Sequence, residues 1–132
     1  MASPIVTATI GTVPYTVSLT DSVHQWVGDA SKEHGGADSG PSPHSQLLAA
    51  LGSCTAITLS MYAGRKTWAL EGVEVVLGFA NEAPGTVTIS REIKVKGKLD
   101  AEQQERLLQI ANACPIHKIL SGEIRIESSL KV

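Results

Sequence analysis

An α+β fold is predicted for this 132-residue chain by three observations: short alternating strands near the amino terminus, one long apolar helix, and a second alternating hairpin followed by a capped amphipathic helix. The first alternation marks Ile5 to Ile10 and Tyr15 to Leu19 as strands, with Gly11-Thr12-Val13-Pro14 between them as a turn. His24 to Val27 reads as a third short strand, which completes an antiparallel meander. The segment from Gly28 to Pro43, GDASKEHGGADSGPSP, is rich in glycine and proline, and an ordered loop of this length is expected to border a functional site. Its charges Asp29, Glu33 and Asp38 read as solvated.

Ser42 then offers an N-cap and Pro43 a first helical residue, so a helix is expected from Pro43 to about Lys66. Leu47, Leu48, Ala50, Leu51, Ile57, Leu59 and Met61 cover all its faces, which leaves no solvent side. One small domain does not wrap such a helix easily, and a second copy of the chain is the expected cover. Beyond Trp68 and a turn at Glu71-Gly72, two strands alternate on either side of NEAPG, the first through Val73, Val75, Leu77 and Phe79, the second through Val87, Ile89, Ile93 and Val95. Arg91 falls in the apolar phase of the second strand, where a charge needs either a partner or a wet pocket. A structural ion pair and a functional role both meet that need.

Asp100 and Gln103 have capping-box spacing, and the helix they open carries Leu107, Leu108, Ile110 and Ala111 on one face. Pro115 opens a further short helix, PIHKIL. In the tail, Ile124, Ile126, Leu130 and Val132 alternate with charged residues as an amphipathic last strand.

Composition narrows the function. Hydrophobic residues make up 42% and aromatics only 4%, so the core is aliphatic and the chain globular. The net charge of −2 is scattered, with no basic cluster interleaved with aromatics, which argues against nucleic acid as a partner. The start MASPIVTATIGTVPY lacks the basic and apolar blocks of a leader, and the apolar run Leu47 to Ala63 is short for a bilayer, so a cytoplasmic protein with no membrane partner is expected. In that compartment thiols are kept reduced, and two cysteines favour a transient catalytic disulfide over a structural one.

Those cysteines are Cys54, inside QLLAALGSCTAITLSMYA, and Cys114, inside ANACPIHKIL. By composition alone Cys54 is a small buried residue of a crowded helix. Cys114 directly precedes Pro115, so its sulfur is expected at the positive end of a helix, where a thiol becomes a thiolate. Cys114, His117 and Cys54 together lack a further ligand at metal-binding spacing, so no metal site is expected.

The strings GGADSGPSPHSQLLAALGSCTAITLSMYAGRKTW and ANACPIHKIL, taken together, resemble the OsmC/Ohr family, named for osmotic induction and organic hydroperoxide resistance. The resemblance runs from His24 onward and is strongest to the OsmC-like branch. It implies one OsmC-like domain over residues 1–132, antiparallel sheets around a long buried central helix, and an interlocked homodimer with active sites at the subunit interface. It implies thiol-dependent reduction of organic hydroperoxides in oxidative-stress defence, without metal, flavin or haem. Cys54 matches the peroxidatic cysteine and Cys114 the resolving one. Their disulfide would be reduced by an external dithiol, a lipoyl group on a carrier protein in well-studied members.

Two departures accompany the match. Peroxidase members have a glutamate just after the helix-opening proline, where this chain reads Pro43-His44-Ser45, and an arginine upstream of the glycine-rich loop, where the nearest basic residue is His24. These groups bear on rate. A free thiol of pKa ~8.5 is about 3% thiolate at pH 7, and lowering it to ~6 raises that roughly 30-fold. The weaker nucleophilicity of the more acidic thiol takes back about 13-fold, a net gain of about 2-fold. Donors aimed at the peroxide must therefore supply most of the acceleration, and losing one costs about 2–3 kcal/mol, roughly 30- to 200-fold. His24, Arg91 and His117 are the candidates for this role. The alternative is a peroxidase-inactive family member that binds a small hydrophobic or thiol ligand at its dimer interface.

Overall fold

The computed structural model describes residues 3–132 and divides into two compact units, residues 1–47 and 48–132. In the first unit, β1 (Thr7–Ile10), β2 (Val17–Thr20) and β3 (Gln25–Gly28) form an antiparallel sheet in chain order. The register sets Thr7 against Thr20 and Leu19 against Trp26. Ile5 and Val6 were expected in the first strand, but β2 ends at Thr20 and leaves them no opposite residue. The chain turns there because the Asp21 carboxylate accepts the Val23 and His24 N–H groups.

The Gly28–Pro43 loop is organised by Asp29. Its carboxylate is buried and accepts from the Ala30 N–H at 2.7 Å, the Ser39 N–H at 3.1 Å and the Ser39 hydroxyl at 2.6 Å. The Ser39 hydroxyl, followed by the Ser39 N–H, holds Asp29 below the ordinary carboxylate range against its burial. The expectation of a solvated Asp29 is thus corrected: these donors, joined by the Thr16 hydroxyl at 3.4 Å, take the place of water. Gly40 lets the loop press on β3, since a Cβ there would lie 2.1 Å from the Val27 carbonyl oxygen. Trp26 Nε1 donates to Gln46, whose amide donates to the Pro41 carbonyl, so β3 and the loop are both tied to the start of the helix.

That helix, α1, spans Pro43–Lys66 as its sequence predicts. The Ser42 hydroxyl accepts the Ser45 N–H at 3.2 Å and ends the helix cleanly at its amino terminus. Its 24 residues are long and apolar enough to cross a bilayer, which corrects the argument from length. What distinguishes it is packing: Leu51, Thr55, Leu59 and Ala63, spaced one turn apart, are buried against the second unit's other elements. Ile57 and Met61, on another face, remain exposed.

The second unit pairs β4 (Ala69–Ala83) with β5 (Thr86–Lys98) as one long antiparallel hairpin, closed at Pro84-Gly85 with Gly85 at φ 83°. Glu71-Gly72 is not a turn. It lies within β4 at a register shift between the pairs Leu70–Gly97 and Gly72–Lys96, and the φ of 136° at Gly97 and its close approach to the Ala69 carbonyl both demand glycine. The helix α2 (Ala101–Ala111) opens with the reciprocal Asp100–Gln103 capping box, and α3 (Pro115–Ser121) follows.

Leu59, Leu107 and Ala111 form the core, with Trp68, Val73, Ile93 and Val95 packed around them. Burying each of the two leucines stabilises the unit by about 1.5–3 kcal/mol. Leu108, expected on the same face as Leu107, is one helical step round and is exposed. The tail is also corrected: among the described residues, 123–132 join no sheet, and they are exposed throughout.

Candidate functional site

Cys54 stands midway along α1 and Cys114 is the N-cap residue of α3, and the fold brings the two free thiols close enough within one chain for each to shift the titration of the other. Both are free thiols, Cys54 partly exposed and Cys114 fully buried. Pro115 at the first helical position has no N–H, so the Ile116 and His117 N–H groups are the first donors available at this helix end. They face the Cys114 sulfur, and the Thr55 hydroxyl faces it from α1.

The two thiols are driven apart. Burial would raise Cys114, but the Cys54 S–H, the two backbone N–H groups and Thr55 together hold it below the ordinary thiol range. Cys54 is pushed up, first by burial and then by its bond to the Cys114 sulfur. The pair therefore loses its first proton as a unit, and these directions favour leaving the remaining one on Cys54.

Arg91 reaches this cluster from β5. Its Nη1 donates to Thr55 Oγ1 at 3.0 Å and to the Ala111 carbonyl at 3.4 Å, and its Nη2 donates to Asn112 Oδ1 at 3.0 Å and contacts His117 Nδ1 at 3.2 Å. All four acceptors are neutral, so of the two roles its inward phase left open, the carboxylate ion pair is not the one formed. With its four terminal hydrogens engaged, Arg91 braces the cluster and acts on the cysteines through Thr55.

His117 sits against Arg91 and is held below the ordinary histidine range, by burial first and by the guanidinium second. His24 has a different setting. It belongs to the first unit, is exposed, and its Nδ1 lies 3.0 Å from the Asp21 carboxylate. Asp21 is lowered to about 2, chiefly by its side-chain bond to His24. His24 is not among the groups bonded around the cysteines.

Sequence reasoning missed Thr55 and Asn112. A signal for Thr55 exists: it is a polar residue next to Cys54 in an apolar run, and Arg91 is an inward cation in need of acceptors. Beside the cluster, Ile89, Ile93, Leu108 and Leu120 wall a cleft of about 430 Å3 that Arg91 and His117 also line. A second cavity of about 680 Å3 lies in the first unit between Ile10, Tyr15, Val17, Leu19 and Leu47. Neither cysteine lines either one.

A sequence profile of the OsmC family, described as OsmC-like protein, matches residues 35–129 and so takes in both cysteines, Thr55, Arg91 and His117. The chain belongs to the OsmC family. Its fold is shared with solved OsmC/Ohr structures. An OsmC-like protein from Mycoplasma pneumoniae aligns at 18% identity and TM-score 0.77, over 92% of this chain and 89% of that one. The organic hydroperoxide resistance protein OsmC from Legionella pneumophila aligns at 20% identity and TM-score 0.69, over 92% and 91%. The organic hydroperoxide resistance protein OhrB of Bacillus subtilis aligns at 22% identity and TM-score 0.63, over 92% of each. No curated protein matches the chain. The α+β class read from the sequence is therefore that of an OsmC-like fold, with antiparallel sheets and a long central helix.

Proposed function

We propose that this OsmC-family chain is a cysteine-based peroxidase for organic hydroperoxides, and the observation that carries the reading is the closeness of Cys54 and Cys114. Cys54 is the more exposed thiol and attacks first. As it attacks the terminal peroxide oxygen it passes its proton to the Cys114 thiolate. An S–O bond forms, the O–O bond breaks, and the alkoxide leaves as the alcohol after taking a proton. Cys114, again a thiolate, then attacks the Cys54 sulfenic acid; the S–S bond forms and hydroxide leaves, protonated to water by solvent. The peroxide gains two electrons and the cysteine pair loses them. An external dithiol, a lipoyl group or a similar thiol on a carrier protein, returns them and is itself oxidised to a disulfide. The setting is a cytoplasmic homodimer serving oxidative-stress defence, with no metal or organic cofactor.

The neighbouring hydroperoxide resistance proteins support this reading at the level of family and fold. A second reading, a peroxidase-inactive member holding a hydrophobic or thiol ligand, is favoured by the apolar cavity of the first unit and by His44-Ser45 in place of the family's glutamate. Mass spectrometry after substoichiometric cumene hydroperoxide separates them. The peroxidase gives one Cys54–Cys114 disulfide per chain, Cys54→Ser consumes no peroxide, and Cys114→Ser reacts once and stops at sulfenic or over-oxidised Cys54. A wild-type protein that stays reduced sinks the peroxidase and leaves the ligand-binding reading.

A further inference from the structure

Thr55 is fully buried in an apolar stripe, and its hydroxyl has more neighbours than one proton can serve. Oγ1 lies 2.7 Å from the Leu51 carbonyl oxygen, one turn back on α1, and accepts from Arg91 Nη1 at 3.0 Å. Cys114 is held at the same place, since its N–H donates at 3.3 Å to the Ala111 carbonyl that also accepts from Arg91 Nη1, and the Thr55 hydroxyl bears on its sulfur. A guanidinium only donates, so Arg91 occupies a lone pair of Oγ1 and fixes the hydroxyl as a donor. Its proton then has two destinations: the Leu51 carbonyl, which is already the acceptor of the α-helical bond from Thr55 N–H, or the sulfur. The carbonyl suits a neutral Cys114. A thiolate is the stronger acceptor and draws the proton to itself.

We propose that Thr55 is the positioning residue for Cys114, turning its hydroxyl proton from the Leu51 carbonyl to the Cys114 sulfur whenever that sulfur is charged, with Arg91 holding the hydroxyl in the donating orientation. A hydroxyl that merely back-bonds to its own helix is common in apolar helices and would have no effect on a cysteine from another element. The half-buried guanidinium with four neutral acceptors distinguishes this one: a negative sulfur forming one hydroxyl away would give it a counter-charge. In the peroxidase cycle, on which only this consequence rests, Cys114 is charged when it attacks the Cys54 sulfenic acid. It is charged again when it leaves as the external dithiol attacks Cys54. Thr55 therefore speeds disulfide closure and reopening more than the first attack on peroxide.

The titratable or charged groups around Cys114 are Cys54 from α1, Arg91 from β5 and His117 on α3; α2 contributes the neutral Asn112 and the Ala111 carbonyl to the same cluster. A Cys54→Ala background leaves Cys114 as the single thiol, and thiolate absorbance near 240 nm follows its titration. Thr55→Val is expected to raise the Cys114 midpoint by about one pH unit, about tenfold less thiolate below both midpoints, and Thr55→Ser to restore it. Thr55→Ala serves as a second variant should the valine fail to fold. In the two-cysteine protein, quenched-flow mass spectrometry should show sulfenic Cys54 accumulating in Thr55→Val and not in Thr55→Ser. Equal titration with and without the hydroxyl overturns the proposal, as does a serine variant that behaves like valine. Failure of the protein to react with peroxide overturns the peroxidase reading alone, since the titration uses no peroxide.

Discussion

The tautomer of His117 is decided by a neighbour that cannot accept a hydrogen bond. Arg91 Nη2 lies 3.2 Å from Nδ1, so Nδ1 accepts and the ring proton is on Nε2. Protonating Nδ1 would break this bond and set two cations together, and this adds to burial in keeping His117 neutral. The sign follows. Between the lowered folded value and the ordinary value near 6.5, the unfolded chain binds the extra proton and the folded one does not, so stability rises with pH across that window. The contribution is complete above about 6.5 and is lost as pH falls through the folded value. Urea unfolding at several pH values between about 7.5 and 5 should show the wild-type midpoint falling more steeply than that of His117→Gln, whose amide oxygen still accepts from Arg91. Parallel curves would mean that the His117 ring titrates freely. At this scale Arg91 was legible from its inward phase, and both cysteines from their settings. Thr55 left only the trace of a polar residue in an apolar run and Asn112 left none, because what they do depends on which elements meet around the guanidinium.

Helix boundaries are decided by a few backbone hydrogen bonds, and the residues that make them are visible in the sequence. Ser42-Pro43 and Asp100-Gln103 open α1 and α2 where their spacing requires. Glu71-Gly72 misled because a turn and a bulge use the same residue types; what decides is the shift between the pairs Leu70–Gly97 and Gly72–Lys96, and that register is long-range. The start of α1 yields a prediction. Ser42 already accepts the Ser45 N–H and donates its hydroxyl to Ser45 Oγ at 3.2 Å, but that short side chain takes the Ser42 hydroxyl and not the Ser42 N–H. Ser45→Glu completes a capping box and places a negative charge at the positive helix end, which should stabilise the protein by about 0.5–1 kcal/mol at neutral pH. Thermal unfolding of Ser45→Glu and Ser45→Gln separates the two contributions, since only the glutamate loses its advantage at acid pH. No gain from either would mean that another group already satisfies this helix end. The same substitution also introduces the glutamate that the family resemblance leads one to expect after the helix-opening proline, so its effect on peroxide rate is measured independently of its effect on stability.

At the scale of the whole molecule, the single chain leaves apolar surface that its own elements do not cover. Ile57 and Met61 on α1 are 54% and 58% exposed, and in the tail Ile126 and Leu130 are 86% and 89% exposed. Exposed apolar side chains on a core helix and on a segment with strand-like alternation point to a second surface that receives both. The all-round apolarity of the helix led from the sequence to the expectation of a second copy as its cover. The sequence misplaced the tail, because alternation tells which face of a strand is apolar and not which edge it joins. The proposed homodimer makes a concentration-dependent prediction. If folding and association are one event, a tenfold rise in protein concentration adds about 1.4 kcal/mol to apparent stability, and the unfolding midpoint must move with it. Met61→Asp puts a charge where that contact would be dry, and it should shift sedimentation equilibrium toward monomer at micromolar concentration while α1 keeps its buried Leu51, Thr55, Leu59 and Ala63 stripe. A wild-type chain that sediments as a stable monomer, with an unfolding midpoint independent of concentration, would instead leave Ile57, Met61 and the tail to a different partner.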